Sequence, residues 1–316
     1  MNLYKLMTMV ILFLGSSMLL LAQGSPTGTI TGVVKDDAGA TIAGSRVVAT
    51  NTGTSANLET VSNEDGTYTF RAIPVGNYNL SVEANGFKKT NLTDVTVRVN
   101  QEARLDATLS VGAITEEVTV TAEVSQVNTT NSTLKTTIDE RRINELPLNG
   151  RDPNALIQLV AGVQPDTRTS LTSGATYPGA VSVSSNGGRG NTTNYVLDGG
   201  SNNDSYSNQS NPTPNPDALQ EFSVQTNNFS AEYGRNLGAV VNAVTKSGTN
   251  NFHGSAFEFV RNDALNATNF FTPGKRDGLK RNQFGGTIGG PLPLPHFGEG
   301  GPVFDSGRDR SFFFFS

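Results

Sequence analysis

The stretch Thr67–Ala84, TYTFRAIPVGNYNLSVEA, decides the fold of the first part of the chain. Tyr68 and Phe70 alternate with Thr67 and Thr69. Beyond Pro74, Val75 and Gly76, Tyr78, Leu80 and Val82 alternate with Asn77, Asn79 and Ser81. A period of two means half-buried strands, one face in a core and the other in water. The pattern continues outward in Val95, Val97 and Val99, and in Leu105, Ala107 and Leu109. Asn63–Gly66 (NEDG) and Pro74–Gly76 supply turn chemistry between strands. About seven short strands between Gly28 and about Ser110 predict a small β-sandwich.

The whole chain has 316 residues, room for two or three domains. A net charge of -5 gives no reason to expect nucleic acid, whose binders carry basic stripes. With 34 glycines, 16% charged residues and no Trp, the composition favours β structure with many turns. Cysteine is absent, which excludes disulfides and thiolate sites. At the start, Lys5, the apolar run Leu6–Leu21 and the small residues Ala22 and Gly24 predict a secretory signal peptide over residues 1–24. The expected first domain is then 25–111.

Thr31–Asn51 (TGVVKDDAGATIAGSRVVATN) and Ser62–Phe87 (SNEDGTYTFRAIPVGNYNLSVEANGF) resemble a carboxypeptidase regulatory-like domain of the carbohydrate-binding-like fold. The pattern of Gly66, Tyr68, Phe70, Gly76, Tyr78, Gly86 and Phe87 carries the resemblance. The stretch holds no His, zinc-ligand set or nucleophile triad, so no enzymatic activity and no cofactor or metal is expected from it. Tyr68, Phe70 and Tyr78 read as core residues.

Residues 112–130 form a polar, extended segment that suits a linker or one edge strand. Its centre, EEVTVTAE, resembles the TonB box of TonB-dependent outer-membrane receptors. The resemblance implies that Glu117, Val118, Thr119, Val120, Thr121 and Ala122 contact a TonB-type periplasmic energy-transducing protein by adding strand to strand.

The texture then becomes mixed, over an expected domain at 131–250. Asp139 predicts an N-cap for a helix over Glu140–Leu146, stopped by Pro147. Asp152 and Pro153 predict the start of a second helix, ended by Gly162, with Leu156, Leu159 and Val160 on its apolar face. A third short helix is expected at Asp217–Gln220, and strands at 181–185, 194–199, 221–227 and 238–248. The motifs LPLNGRD, NYVLDGGSNND, EFSVQTNNFSAEYGRNLGAVVNAVTKSGTN and FHGSAFEFVRND, in this order, resemble TonB-dependent receptors of the Oar-like group. That resemblance implies a plug domain inside a large outer-membrane β-barrel, gated when the partner transmits energy. Arg151 and Arg235 read either as residues that steady the plug against a barrel wall through carboxylate pairs or as simple surface charges.

Other motifs carry less. Asp198 and Asp204 lack the spacing of a calcium loop. The glycines of 186–191 and 285–290 lack the Lys and Ser/Thr of a phosphate loop. His253 and His296 stand 43 positions apart without a catalytic context.

From 251 onward the alternation turns aromatic: Phe257 and Phe259 share one face, Phe284, Gly286 and Ile288 another. Apolar-out, polar-in segments are the signature of a transmembrane barrel. Three such strands are legible, the last begun by Phe312–Phe315, whereas a closed single-chain barrel needs about eight. Open strand edges in lipid cost several kcal/mol per unpaired group. The expectation is a chain cut inside its third barrel strand. The predicted class is mostly β with minor α: a small β-sandwich, an α+β plug, then the first strands of an incomplete barrel. The implied function is a TonB-coupled receptor or transporter for an unidentified extracellular substrate, a glycan among the candidates. The competing reading is an exported carbohydrate- or partner-binding adhesion protein.

Overall fold

The computed structural model describes residues 26–112, 117–121, 132–146, 148–165, 182–230, 233, 237–265, 267–268, 271, 278–295 and 304–316. The expected signal peptide, Ala122, Arg235 and His296 lie outside these residues.

The first unit is a two-sheet sandwich. Its strands are β1 (Thr27–Asp36), β2 (Arg46–Asn51), β3 (Asn57–Val61), β4 (Thr67–Pro74), β5 (Gly76–Glu83), β6 (Lys89–Val97), β7 (Glu102–Arg104), β8 (Ala107–Leu109) and β9 (Glu117–Thr121). One sheet has the order β3-β2-β5-β6-β9. In the other, β1 lies between β4, antiparallel, and β7 followed by β8, both parallel. The alternating residues fill the space between the sheets: Tyr68, Phe70, Tyr78, Leu80, Val82, Val95, Val97, Leu105, Ala107 and Leu109 are all buried. The break between β7 and β8 is pinned from inside, because the Tyr68 hydroxyl donates to the Leu105 carbonyl at 2.6 Å. Gly32 permits that approach: a Cβ there would stand 1.7 Å from the same carbonyl oxygen. The NEDG turn closes around Asn63, whose Oδ1 accepts from the amides of Asp65 and Thr67, with Gly66 at φ 72°.

The second unit is built on a five-stranded sheet. Its strands are β10 (Leu134–Asp139), β13 (Asn194–Leu197), β14 (Gly200–Ser201), β15 (Leu219–Asn227) and β16 (Val240–Thr245), with β11 (Val163–Pro165) and β12 (Val183–Ser185) forming a separate ribbon. The order is β10-β15-β16-β13-β14, antiparallel except for β13 against β16. One face carries the second core, including Ile138, Phe222, Val224, Tyr195, Val241 and Ala243. Helix α1 (Glu140–Glu145) inserts Ile143 into it, and the Asp139 side chain accepts from the Arg142 amide as its N-cap.

Two of the expected helices are corrected. Pro153–Leu159 is a 3-10 helix rather than an α-helix, with Asp152 capping the Asn154 amide. It buries Leu156 and Ile157, with Val160 beside them, while Leu159 is 63% exposed. The backbone is already extended at Val160, so the apolar face closes one residue early. The third is a single 3-10 turn, Pro216–Ala218, capped by Asn215. Leu219 and Gln220 open β15 instead, because burial beside β16 outweighs the local helix signal.

The third unit is an antiparallel sheet of β17 (His253–Asn262), β18 (Lys280–Pro291) and β21 (Phe312–Phe315), beside a small ribbon of β19 (Leu294–Pro295) and β20 (Phe304–Asp305). β17 and β18 pair without interruption from His253↔Gly289 to Asn262↔Lys280. The expected apolar-out assignment is corrected for β17. Across the ladder Phe257 faces Gly285 and Phe259 faces Gln283, whereas Phe284 stands beside Glu258. Phe257 and Phe259 therefore point to the second unit, and Phe284, 80% exposed, points away from it. Identical alternation on two strands does not say which face is which until the register is known.

Candidate functional site

Among the described residues, the edge strand β9 and two joints between the units stand out, built from main-chain, charged and aromatic groups. β9 pairs parallel with β6 over five rungs, Lys89↔Glu117, Thr90↔Val118, Asn91↔Thr119, Leu92↔Val120 and Thr93↔Thr121. Val118 and Val120 lie on the sandwich side, opposite buried Thr90 and Leu92, yet stay 38% and 46% exposed. The segment expected as the partner-binding strand is thus an edge strand held by its backbone. Edge strands offer unpaired N–H and C=O groups along their open side, the template for strand addition.

The first joint couples the sandwich to the plug-like sheet. The turn after β6 presents the backbone of Val99 to β10 and β15. Lys135 donates to the Val99 carbonyl, and the Glu221 carboxylate accepts from the Val99 amide at 3.2 Å. The two side chains stand 3.7 Å apart, with exposures of 16% and 8%. Burial pulls the Lys135 ammonium down and pushes the Glu221 carboxyl up, and each partly restores the other. Asn100 adds a bond to the Tyr233 hydroxyl at 2.5 Å. A separate contact ties Asn250, at the start of the third unit, to the Gly53 carbonyl at 2.8 Å.

The second joint seats the second unit on the barrel-type strands. Arg151 pairs with Asp217 and lies over the rings of Phe257 and Phe259, 4.4 and 4.1 Å from their centroids. The expected carboxylate partner is present, but it belongs to the same unit as Arg151. The aromatic wall was missed, because reading Phe257 and Phe259 as lipid-facing removed them from view. Gln283 donates to the Gly150 carbonyl at 3.1 Å alongside. A cavity of about 700 Å³ opens beside this contact, lined by Leu146, Leu148, Arg151, Phe259, Arg261 and Arg281 among others.

The remaining sequence candidates have local roles. Asp198 accepts from the amide and hydroxyl of Thr245 at 2.7 and 2.9 Å. Asp204 accepts from the amide of Ser207 at 2.6 Å and from its hydroxyl. Residues 186–191 form a turn and 285–290 lie within β18. The His253 ring stacks on Phe314, their centroids 6.3 Å apart.

Comparison with known proteins agrees with this architecture. Residues 29–110 match the carboxypeptidase regulatory-like domain, 125–241 the TonB-dependent receptor plug domain, and 244–316 the outer membrane beta barrel domain. The three matches follow one another along the chain in the order of its three units, so that the chain is similar in turn to a regulatory-like domain, a receptor plug and an outer membrane barrel. More particularly, the chain is similar to the TonB-dependent transporter Oar of Myxococcus xanthus, 28% identical over 312 residues. That match covers 93% of this chain and 27% of the relative, so the chain spans about a quarter of the protein it resembles. Among solved structures, the siderophore receptor PirA of Acinetobacter baumannii matches 50% of this chain and 22% of its own, at 21% identity and a TM-score of 0.36. The dioxygenase domain of a dioxygenase–carbohydrate-binding fusion from Streptomyces sp. SirexAA-E matches 29% of this chain and 84% of its own, at 17% identity and a TM-score of 0.24.

Proposed function

We propose that the chain works as part of an active transporter of the outer membrane, in which residues 117–122 are the strand taken by a TonB-type periplasmic protein. The observation that carries this reading is positional. An exposed edge strand, attached by its backbone, stands directly ahead of a plug sheet that is seated on barrel-type strands. Such a strand can be recognised with little demand on side-chain identity. Tension on it passes along the chain to β10, the edge of the plug sheet. The domain boundaries proposed for the working molecule are 25–111 for the sandwich, 112–130 for the coupling segment, 131–250 for the plug and 251 onward for the barrel. The carbohydrate-binding-like fold of the first domain makes carbohydrates the first class of nutrient to test.

The test is capture of the full-length receptor by the purified periplasmic domain of the host's TonB-type protein. Val120→Pro, which removes a main-chain donor, and deletion of 117–122 are expected to abolish capture. Thr119→Ala is expected to retain it. Undiminished capture of the deletion variant would overturn the reading.

A further inference from the structure

We propose that the outer edge of β6, residues Lys89–Thr93, is an intramolecular docking site for the coupling strand and competes with the periplasmic partner for it. The inference rests on the reading of 117–122 given above and adds a holder within the same chain. Five consecutive rungs consume the backbone groups on one side of β9. Val118 and Val120 are turned onto the sandwich side, beside the buried Leu92, so a partner strand that needs that side or the closed backbone edge must displace β6. The attachment is also weak enough to reverse. A parallel ladder is slightly less stable per residue than an antiparallel one, and both valines keep more than a third of their surface in water. A strand buried in the core could not be taken, and one with no holder would be available at all times. β9 has the intermediate character of a strap that is closed at rest.

The chain lacks cysteine, so the strap can be locked cleanly. Asn91 and Thr119 are direct partners on the solvent side of the sheet. Adjacent strands lie about 4.8 Å apart, within the Cα separation a disulfide spans. The experiment uses full-length receptor carrying Asn91→Cys and Thr119→Cys, with each single variant as control. Capture by the same purified periplasmic domain is measured after mild oxidation and again after reduction with dithiothreitol. The expected result is a disulfide within the double variant, a loss of capture of about tenfold or more when oxidised, and recovery on reduction to the level of the single variants.

A disulfide that forms while capture stays the same in both states would overturn the competition and leave the proposed coupling strand standing. Failure of the two cysteines to join under oxidation, with wild-type capture intact, would overturn the docking itself. Absence of capture in wild-type receptor and both redox states alike would sink the coupling reading, and this proposal with it.

Discussion

At Gly32 the absence of one carbon decides whether the sandwich closes. The 1.7 Å that a Cβ would leave to the Leu105 carbonyl cannot be relieved by a side chain, because the obstacle is backbone. Gly32→Ala is expected to cost about 3 kcal/mol or more in thermal or chemical unfolding of the chain. Tyr68→Phe, which keeps the ring and loses only the bond to Leu105, is expected to cost about 1 kcal/mol. Equal losses for the two would show that the break between β7 and β8 is not where the constraint lies.

The Lys135–Glu221 pair sets a second residue-scale expectation. Burial raises the folded pKa of Glu221 above its ordinary value, so the native state holds that proton more tightly than the unfolded chain. Its contribution to stability is therefore fully present below the unfolded value and is lost as pH rises through the folded one. Lys135 limits that loss by lowering the carboxyl again. In Lys135→Met the limit is gone. Unfolding midpoints are expected to fall from pH 5 to pH 8, by an equivalent of about 3 kcal/mol at the upper end. The double variant Lys135→Met with Glu221→Leu is expected to recover most of that loss and to lose the pH slope. A flat profile in the single variant would mean that Glu221 finds other donors.

At the scale of the element, the corrected face of β17 is the sharpest test. Phe284→Cys is expected to react with a membrane-soluble maleimide in intact receptor. Phe257→Cys, turned to Arg151, is expected to react only after urea has released the plug. Reaction of Phe257→Cys in the intact receptor, as readily as Phe284→Cys, would restore the assignment that alternation alone suggested.

This element also shows how far the sequence could be read. Strand existence in the sandwich was fully legible, since Tyr68, Phe70, Tyr78, Leu80 and Val82 alternate and every one of them is buried. Facing was not legible for β17 and β18, because both faces carry aromatic residues and only register separates them. The 3-10 character of Pro153–Leu159 was also hidden: Asp152 and Pro153 mark a helical start without fixing its hydrogen-bond step. For β9 the polar alternation allowed an edge strand but named no neighbour, since pairing with β6 is written in shape and proximity rather than composition.

For the whole molecule, the order of domains was legible because each carries several separated motifs, and the family matches fall in the same order. The contacts between units were not, because they rest on single side chains such as Lys135, Glu221 and Arg151 rather than on a repeated pattern. Arg151 is the clearest case. One guanidinium satisfies Asp217 and covers two rings at once, with only 11% of its side chain exposed. Lysine keeps the charge but cannot reproduce a planar fork stacked on aromatic faces. Arg151→Lys is expected to weaken the seating of the plug by about 1–2 kcal/mol. The readout is an earlier urea release of the plug, followed by protease protection in full-length receptor, with the sandwich signal unchanged. If sandwich and plug were lost together, the seating would belong to the fold as a whole rather than to the joint.

The parallel pairing of β9 with β6 has a mechanical consequence. A tug along the strand axis loads all five rungs at once, as in a lap joint, and they resist together. A tug at right angles, away from the sheet edge, loads them singly and peels them in sequence, as in a zip. The bearing of the pull, rather than its strength alone, thus governs whether the strap opens. A pull on the strand would open it with little effort in one orientation and drag the whole sandwich in the other.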